Sequence, residues 1–383
     1  MSTTDFPQSE FEARLERAQK AMAGQRLDAL LFTTEAEMRY FTGFRTLFWE
    51  SPTRPWFLII PKQGIPIAII PEIGAALMRQ TWLDDIRTWR SPAELDDGVQ
   101  LLIDTLGQCS NIGMLMGRES NLRMPLLDYQ TLRAGLRSAT FEDATPLMQA
   151  LRMVKSPAEI EIIASICNIA GESFANAPAL FHIGQPLNEA FRAFKIDLLK
   201  NGAEDVPYLV GGADTSGYSD VISPPSSKPL AAGDVLMLDT GATLRGYFCD
   251  YDRNFAFAHA SDDAKYAYQT LYQATDAALA AARPGLTCKD LYAAMLEVIA
   301  QSNPDVDGSD VGRFGHGLGM QLTEAPSLIS FDETVLRPGM VITLEPSMTV
   351  TGDKIMVHEE NMVIRDGGAE LLTPRAAPEL PIL

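Results

Sequence analysis

The chain has 383 residues, of which 46% are hydrophobic and 21% are charged, a composition typical of a folded protein with room for two domains. Its 50 acidic and 31 basic residues give a formal net charge of −19. This charge argues against a nucleic-acid partner and an anionic membrane surface, because both are bound through basic faces.

The cysteines and the first residues indicate the compartment. Four cysteines are scattered without a CxxC pair, which indicates reduced thiols and no disulfide framework. The segment Met1–Glu12 is polar and acidic and lacks the pattern of a signal peptide. No apolar run approaches the ~20 residues needed to cross a bilayer. We therefore expect a cytoplasmic protein without a membrane partner.

Short apolar runs alternate with helical patterns over roughly the first 150 residues, which predicts a small α/β domain. The strand candidates are Asp28–Thr33, Trp56–Pro61, Ile65–Pro71 and Asn111–Met116, and the helix candidates are Phe11–Ala23 and Leu122–Arg137. A longer helical pattern from Pro146 to about Ala203 is interrupted at Lys155-Ser156-Pro157, where the proline can open a new helix. This interruption predicts domains at residues 1–154 and 155–383.

The second domain again mixes strands and helices, so the whole chain is predicted to have an α/β (α+β) fold. The strand candidates are Val206–Val210, Val235–Leu238, Tyr247–Phe257, Val341–Leu344 and Ile355–Ile364, and the helix candidates are Ala264–Ala282 and Lys289–Gln301.

One seven-residue pattern occurs twice in the second domain. Gly233–Asp239 and Gly339–Glu345 each consist of a glycine, an apolar strand and a carboxylate. A second acid follows each copy, Asp250 in the first and Glu359 in the second. A duplicated half-domain with a pseudo-twofold axis would bring these four carboxylates together.

Four carboxylates among apolar strands need compensating charge, because an unpaired buried charge costs on the order of several kcal/mol. Basic residues are sparse there, Arg253 being the nearest, so divalent ions are the simplest compensation. His316 lies between glycines in Phe314–Gly319 and adds an imidazole. This hard ligand set suits manganese, cobalt, iron or zinc. Two ions ~3.5–4 Å apart would hold a nucleophilic hydroxide, which predicts metal-assisted hydrolysis.

At these motifs the sequence resembles the pita-bread metallopeptidase family, which includes aminopeptidase P, prolidase and methionine aminopeptidase. The resemblance extends from Tyr40–Phe44 through the Lys155-Ser156-Pro157 linker to Glu359-Glu360. It implies a creatinase/prolidase-like N-terminal domain and a C-terminal pita-bread domain. It also implies an Xaa-Pro dipeptidase-type hydrolase that forms a homodimer and uses two divalent ions, of which manganese is favoured.

The resemblance implies a role for each of five side chains. Asp239 would chelate one metal ion, His316 and Glu345 would hold the other, and Asp250 and Glu359 would bridge the two. Glu345 would also carry a proton to and from the bridging water.

Two departures from the family pattern bear on the substrate. The peptidases carry a histidine before the first metal aspartate, where this chain has Val221–Ser223. They carry another in a His-Glu-x-Pro element, where this chain has Thr323. Thr323 is therefore a catalytic candidate as a weaker hydrogen-bond donor, and Tyr218 or Ser223 is a candidate for the other role.

Residues beside the motifs have alternative interpretations. The loop Phe48–Trp56 either packs within its domain or reaches a neighbouring subunit's active site, where Arg54 and Trp49 would bind a small zwitterionic substrate. Asp252 either lines the metal site or forms a salt bridge with Arg253. His358 and Glu360 are predicted to be structural, and Cys249 is predicted to be a buried, inert thiol.

Three functions compete at this point. The first is a dipeptidase or aminopeptidase that acts before proline, and the second is a hydrolase of a small cyclic amidine or guanidino solute. The third is a non-catalytic protein that binds a ligand in the cleft that serves as the active site in the family's enzymes. A lyase of a zwitterionic solute is less favoured, because Met237 and Gly241 cannot supply the additional metal ligand that the family's lyase carries beside its first aspartate.

Overall fold

The structure, a computed structural model, describes residues 5–51, 54–94, 96–302 and 312–383. The chain divides into two units, Met1–Arg152 and Met153–Leu383. The predicted domain boundary, between residues 154 and 155, lies close to this division. Both units combine helices with sheets, so the predicted mixed α/β class is confirmed.

The first unit is built on a six-stranded sheet. Its elements are α1 (Gln8–Gln25), β1 (Ala29–Phe32), α2 (Glu35–Thr42), β2 (Phe57–Pro61), β3 (Ile67–Pro71), α3 (Ala75–Met78), β4 (Asp85–Trp89), α4 (Val99–Leu106), β5 (Asn111–Met114), α5 (Leu126–Gly135), β6 (Thr140–Asp143) and α6 (Thr145–Met153), with short 3-10 turns at Leu47–Glu50 and Glu72–Gly74. The strand order is β4-β3-β2-β1-β5-β6. Alternate residues of the central strands, such as Leu31 and Ile59, pack against α4 and α5 in one apolar core.

The second unit contains two larger sheets and a hairpin. Its elements are α7 (Pro157–Ala175), α8 (Ala177–Leu180), α9 (Leu187–Lys200), β7 (Asp205–Thr215), β8 (Asp234–Leu244), β9 (Tyr247–Phe248), β10 (Tyr251–Ala256), α10 (Asp262–Ala281), α11 (Cys288–Ser302), β11 (His316–Gly317), β12 (Glu324–Ser327), β13 (Val341–Leu344), β14 (Ser347–Thr351), β15 (Lys354–Val357), β16 (Glu360–Arg365) and β17 (Gly368–Leu371). The sheet orders are β10-β8-β7, with β9 paired to β8, and β12-β11-β13-β16-β17.

Helix α7 begins where the sequence predicts. The Ser156 hydroxyl accepts a hydrogen bond from the Glu159 N–H at 3.3 Å, and the Glu159 carboxylate accepts one from the Ser156 N–H at 2.8 Å. Pro157 occupies the first turn, where its missing N–H is no loss.

The two copies of the repeated pattern occupy equivalent places. Strand β8 carries Asp239 and pairs antiparallel with β10, which begins directly after Asp250. Strand β13 ends directly before Glu345 and pairs antiparallel with β16, which begins directly after Glu359. Apolar residues of both pairs pack with α10 and α11 in one core. Each antiparallel pair therefore supplies two acids.

Candidate metal centre

Three carboxylates meet inside the second unit. One oxygen each from Asp239, Asp250 and Glu359 lies within 4.8 Å of the other two. Asp250 and Glu359 are buried, and Asp239 is half-buried. Asp239 lies opposite Asp252 on the neighbouring strand, and Asp250 stands directly before that strand. The antiparallel pairing therefore brings Asp250 near Asp239.

His316 and Glu345 extend the cluster. The Nε2 atom of His316 is 3.4 Å from Asp250 Oδ2 and 3.7 Å from Glu345 Oε1. The Nδ1 atom donates to the carbonyl oxygen of Gly317 at 2.9 Å, since a carbonyl can only accept. In the neutral ring, Nε2 therefore presents a lone pair to the carboxylates.

The glycine before His316 permits this placement. Gly315 has a φ of +148°, and a side chain there would lie 2.1 Å from the carbonyl oxygen of Thr343. The Thr343 hydroxyl in turn accepts from the His316 N–H at 3.1 Å. Close approach to β13 thus requires glycine and fixes the backbone of the histidine.

Burial perturbs the pKa of all five groups, and like charge adds to its effect at several of them. Burial raises the pKa of Asp239 to about 7 and the pKa of Glu345 to about 8. Burial and neighbouring carboxylates raise the pKa of Asp250 and Glu359 well above their ordinary values. Burial, helped by the charge of Arg313, lowers the pKa of His316 to about 4. The cluster therefore needs protons or cations at neutral pH.

Two oxygens of the cluster have no hydrogen-bond partner among the described residues. They are Oδ1 of Asp239 and Oε1 of Glu359, and both are buried. Leaving a buried polar atom unpaired costs roughly 1–3 kcal/mol. Carboxylate oxygens and a neutral imidazole are ligands for divalent cations, so this set of residues fits a metal site.

The residues beside Glu359 form a network of their own. The Glu360 carboxylate accepts from Arg253 at 3.0 Å and from Arg375 at 2.9 Å. Arg375 also lies 3.1 Å from Nε2 of the buried His358. These contacts confirm the structural role predicted for His358 and Glu360. Cys249 is buried as predicted, and burial raises the pKa of its thiol.

The salt bridge predicted between Asp252 and Arg253 is wrong. The Arg253 guanidinium pairs with Glu360 instead. Both carboxylate oxygens of Asp252 are buried and have no hydrogen-bond partner in the part of the chain that the structure describes. Burial and the nearby charge of Asp239 raise the pKa of Asp252 well above its ordinary value. Asp252 therefore adds a further acid beside the cluster.

The Tyr218 side chain is buried and has partners within the protein, so its contact with a substrate stays a prediction. Tyr218 is only 1% exposed. Its hydroxyl donates to Asn254 Oδ1 at 3.1 Å and accepts from the Val357 N–H at 2.6 Å. The hydroxyl of Tyr218 therefore makes one donated and one accepted hydrogen bond within the protein. Ser223, the other candidate for this role, is exposed and donates to Asp220.

Thr323 lies beside the cluster together with an arginine that the sequence interpretation missed. Arg313 Nη2 lies 3.5 Å from Thr323 Oγ1, and Arg313 Nε lies 3.8 Å from Glu345 Oε1. Arg313 stands three residues before His316, so the available signal was its position in that glycine-rich segment.

Tyr208 is a second residue that the sequence interpretation missed. Its half-buried side chain lies on β7, and burial and the charge of Asp239 raise the pKa of its phenol. Tyr208 pairs with Gly241 across the ladder, two positions from Asp239. Only knowledge of this strand pairing would have identified Tyr208.

The two candidate substrate residues of the first unit have packing contacts. Trp49 is buried, and its ring centroid lies 5.7 Å from that of Trp56. The guanidinium carbon of Arg123 lies 5.0 Å from the Trp49 ring centroid, which is a cation–π contact. Arg54 Nε donates to Ser91 Oγ at 2.6 Å. Contact of Trp49 or Arg54 with a substrate stays a prediction.

Comparison with known proteins identifies relatives of both units. The model of metallopeptidase family M24 matches residues 161–366, more than half of the chain, and the model of the creatinase/prolidase N-terminal domain matches residues 14–154. Probable dipeptidase PepE of Mycobacterium tuberculosis is 26% identical over 374 residues, 96% of each chain. The Xaa-Pro dipeptidase of Pyrococcus horikoshii is 29% identical over 359 residues, 91% of this chain and 93% of that one. The crystal structure of dipeptidase PepE from Mycobacterium ulcerans has a TM-score of 0.85 at 26% identity and covers 98% of this chain and 99% of its own.

The fold and the carboxylate cluster together define a hydrolase that works with divalent metal ions. The chain belongs to metallopeptidase family M24, and a creatinase/prolidase-type domain precedes its metallopeptidase domain. The resemblance found in the sequence is thereby confirmed. Among the described residues, no helix is both long and apolar enough to span a bilayer.

Proposed function

We propose that the protein is a dipeptidase that cleaves Xaa-Pro dipeptides. The observation that carries the proposal is the convergence of buried carboxylates, two of them with unpaired oxygens, on one neutral imidazole. Relatives that match more than nine-tenths of the chain are named dipeptidase or Xaa-Pro dipeptidase, which supports a peptide substrate over a cyclic amidine or guanidino solute.

Five residues would hold two divalent ions, of which manganese is our first choice: Asp239, Asp250, His316, Glu345 and Glu359. Bound ions supply polarisation of the scissile carbonyl and a water of lowered pKa. Glu345 is the acid best placed to move a proton, because its side chain is 23% exposed whereas that of Asp250 is 5% exposed. Its Oε1 would accept a proton from the attacking water and return it to the leaving amine. Thr323 would donate a hydrogen bond to the substrate in place of the family histidine.

Metal content tests the first part of this proposal. Protein purified after manganese or cobalt supplementation should carry about two divalent ions per chain by elemental analysis. Fewer than about one ion per chain would count against any metal-dependent hydrolysis here.

A substrate panel tests the second part. Xaa-Pro dipeptides, ectoine and creatine are incubated with the manganese-loaded protein, and product release is measured. We expect turnover of the dipeptides. Turnover of the solutes alone would establish the alternative hydrolase, and metal binding without turnover of any compound would favour the non-catalytic protein.

We also propose a cytoplasmic homodimer in which the loop containing Trp49 and Arg54 completes the partner's site. Light scattering tests the dimer. Arg54→Ala and Asp250→Ala protein should each be inactive alone. If the loop acts across subunits, unfolding and refolding an equal mixture of the two should restore roughly one quarter of wild-type activity. Half of the refolded dimers are then mixed, and each mixed dimer contains one intact site of two. If no activity is recovered, the loop does not complete the partner's site.

A further inference from the structure

The backbone of Asp250 lies at a break between two strands. Strand β9 ends at Phe248 and strand β10 begins at Tyr251, so Asp250 belongs to neither. Asp250 is only 4% exposed. A buried residue outside a ladder needs other partners for its N–H and carbonyl groups, because leaving them unpaired is costly.

The side chain of Asn361 supplies both partners. Its Oδ1 accepts from the Asp250 N–H at 3.0 Å, and its Nδ2 donates to the Asp250 carbonyl oxygen. Two residues of an antiparallel ladder exchange hydrogen bonds in the same way, so the amide takes the place of a strand. An ionised carboxylate could accept but not donate, so this position favours an amide.

Asn361 is itself held from several sides. It lies on β16 and has no exposed surface. Its N–H donates to Thr373 Oγ1 at 3.3 Å, and its Oδ1 also accepts from the Cys167 thiol of α7 at 3.4 Å. The amide is therefore fixed with respect to both a sheet and a helix.

The residue opposite Asn361 holds a second proposed ligand. Thr343 of β13 pairs directly with Asn361, so their side chains share a face of the sheet. The Thr343 hydroxyl accepts from the His316 N–H at 3.1 Å. This buried pair thus fixes the backbones of His316 and Asp250, whose Nε2 and Oδ2 atoms lie 3.4 Å apart.

The Asn361 amide also connects the two acids that are proposed to bridge the metal ions. Asp250 directly precedes β10, and Glu359 directly precedes β16, and these strands belong to different sheets. One oxygen of each acid lies within 4.8 Å of the other. Ladder hydrogen bonds within one sheet do not fix a spacing between two sheets, whereas the Asn361 side chain reaches from β16 to Asp250.

We propose that Asn361 is a positioning residue whose side-chain amide sets the spacing between Asp250 and Glu359. The inference rests on the proposed metal-dependent function. Asn361 acts through the backbone of Asp250, so its loss should weaken metal binding by roughly 10- to 100-fold, as loss of a group that orients a metal ligand does.

Two substitutions of Asn361 and a matched control test the proposal. Asn361→Leu keeps the size of the side chain and removes both hydrogen bonds to Asp250. Asn361→Ser keeps a polar side chain too short to make both bonds, and it replaces the leucine variant if that one does not fold. The control is Asn254, which is 2% exposed and whose Nδ2 donates to the Val357 carbonyl oxygen at 2.8 Å. It receives the same substitutions.

Manganese binding by calorimetry is the first measurement. Both Asn361 variants should bind manganese roughly 10- to 100-fold more weakly than wild type. Electron paramagnetic resonance should show a changed exchange coupling between the two Mn(II) ions in these variants. The Asn254 variants should match wild type in both measurements. An equal change in the Asn254 variants would assign the effect to a loosened core and would overturn the proposal.

Hydrogen exchange of the metal-free protein keeps this inference separate from the proposed function. The peptide that contains the Asp250 N–H should exchange faster in the Asn361 variants than in wild type or the Asn254 variants. Faster exchange with unchanged manganese affinity and coupling overturns the positioning role and leaves the metal centre intact. Wild type that binds no manganese ends the proposed metal-dependent function. Exchange then decides whether Asn361 holds Asp250, and unchanged exchange in its variants would show that it does not.

Discussion

Asp250 lies close to several other acids of the cluster. Its Oδ2 lies 3.4 Å from His316 Nε2, and its N–H donates to Asn361 Oδ1 at 3.0 Å. The charges of Asp239 and Glu345 disfavour ionisation of its carboxyl group beyond the effect of burial. A neutral amide of the same shape removes this repulsion but is a poorer ligand for a divalent cation.

Asp250→Asn should therefore have opposite effects with and without metal. We expect the metal-free variant to be more stable than wild type by roughly 1–3 kcal/mol at pH 8, and the manganese-supplemented variant to lose at least about 10³-fold in activity. Urea unfolding with a chelator and turnover with manganese measure the two effects. The exposed Asp353→Asn serves as the control for loss of one charge. An active, metal-loaded Asp250→Asn would remove Asp250 from the proposed ligands.

The acids of the cluster also predict how pH acts on the metal-free protein. The folded-state pKa is about 7 for Asp239 and about 8 for Glu345, against ordinary values of 3.8 and 4.5. The folded protein therefore holds protons that the unfolded chain releases. This contribution to stability is fully present below about pH 4 and is lost as pH rises through 7 and 8.

Two histidines oppose this trend at lower pH. Burial lowers the pKa of His316 to about 4 and that of His358 to about 3. Below pH 6.5 these two side chains therefore bind protons in the unfolded chain but not in the folded protein. Between pH 6.5 and 8 the acids act alone. There, each titrating acid should lower the free energy of unfolding by up to about 1.4 kcal/mol per pH unit. Urea unfolding at several pH values with a chelator measures the slope, and manganese should flatten it. A metal-free protein that gains stability over this range would contradict the burial of ionisable acids.

At the scale of elements, strand β16 depends on a charge network. Glu360 has no exposed side-chain surface and accepts from Arg253, Arg375 and Thr373. Because Glu359 directly precedes this strand, the network also positions a proposed metal ligand.

Glu360→Gln leaves two arginines without their carboxylate. We expect a loss of roughly 3–5 kcal/mol in unfolding free energy, as for other buried pairs from which one partner is removed. The control Glu370→Gln breaks an exposed pair with Arg365 on the same sheet and should cost less than about 1 kcal/mol. Denaturant unfolding of both variants makes the comparison, and equal losses would show that the Glu360 network does not hold the strand.

Apolar patterns predict strands with continuous buried runs but not the two edge strands of the six-stranded sheet. Strand β13 has the predicted bounds, Val341–Leu344, and all four of its residues are buried. The edge strands β4 and β6 were missed, because each buries only one residue, Trp89 in β4 and Phe141 in β6. An edge strand pairs on one side and needs no continuous apolar run.

Two strands that the sequence predicts as continuous, Tyr247–Phe257 and Ile355–Ile364, are divided in the structure. The interruptions fall at Cys249-Asp250 and at His358-Glu359. In both places the backbone leaves the ladder at an acid of the cluster. The sequence pattern therefore shows the acid but not the change in backbone.

Side chains that meet through tertiary structure set the limit of prediction within the site. Asp239 and Glu345 follow from a repeated local pattern, and His316 follows from its flanking glycines. Tyr208 and Arg313 reach the same cluster by strand pairing and by a loop, and neither has a local signal of that kind. The hydroxyl of Tyr218 has partners that are distant in sequence, Asn254 and Val357.

At the scale of the whole molecule, the chain carries its tryptophans and its proposed metal ligands in different units. All four tryptophans, at positions 49, 56, 82 and 89, lie in the first unit, and the carboxylate cluster lies in the second. Each unit has an apolar core of its own. Tryptophan fluorescence therefore reports unfolding of the first unit, whereas far-ultraviolet circular dichroism reports both.

Manganese should stabilise the second unit alone. At a metal concentration about 100 times Kd, binding adds about 2.7 kcal/mol to the stability of the unit that contains the site, which raises its Tm by roughly 5–10 °C. We expect the dichroism transition of that unit to move by this amount while the fluorescence midpoint stays fixed, and Asp250→Asn to abolish the shift. If manganese raises the fluorescence and dichroism midpoints together, the two cores unfold as one cooperative unit. The reason is that metal bound to the second unit can stabilise the first unit only if the first cannot unfold without the second.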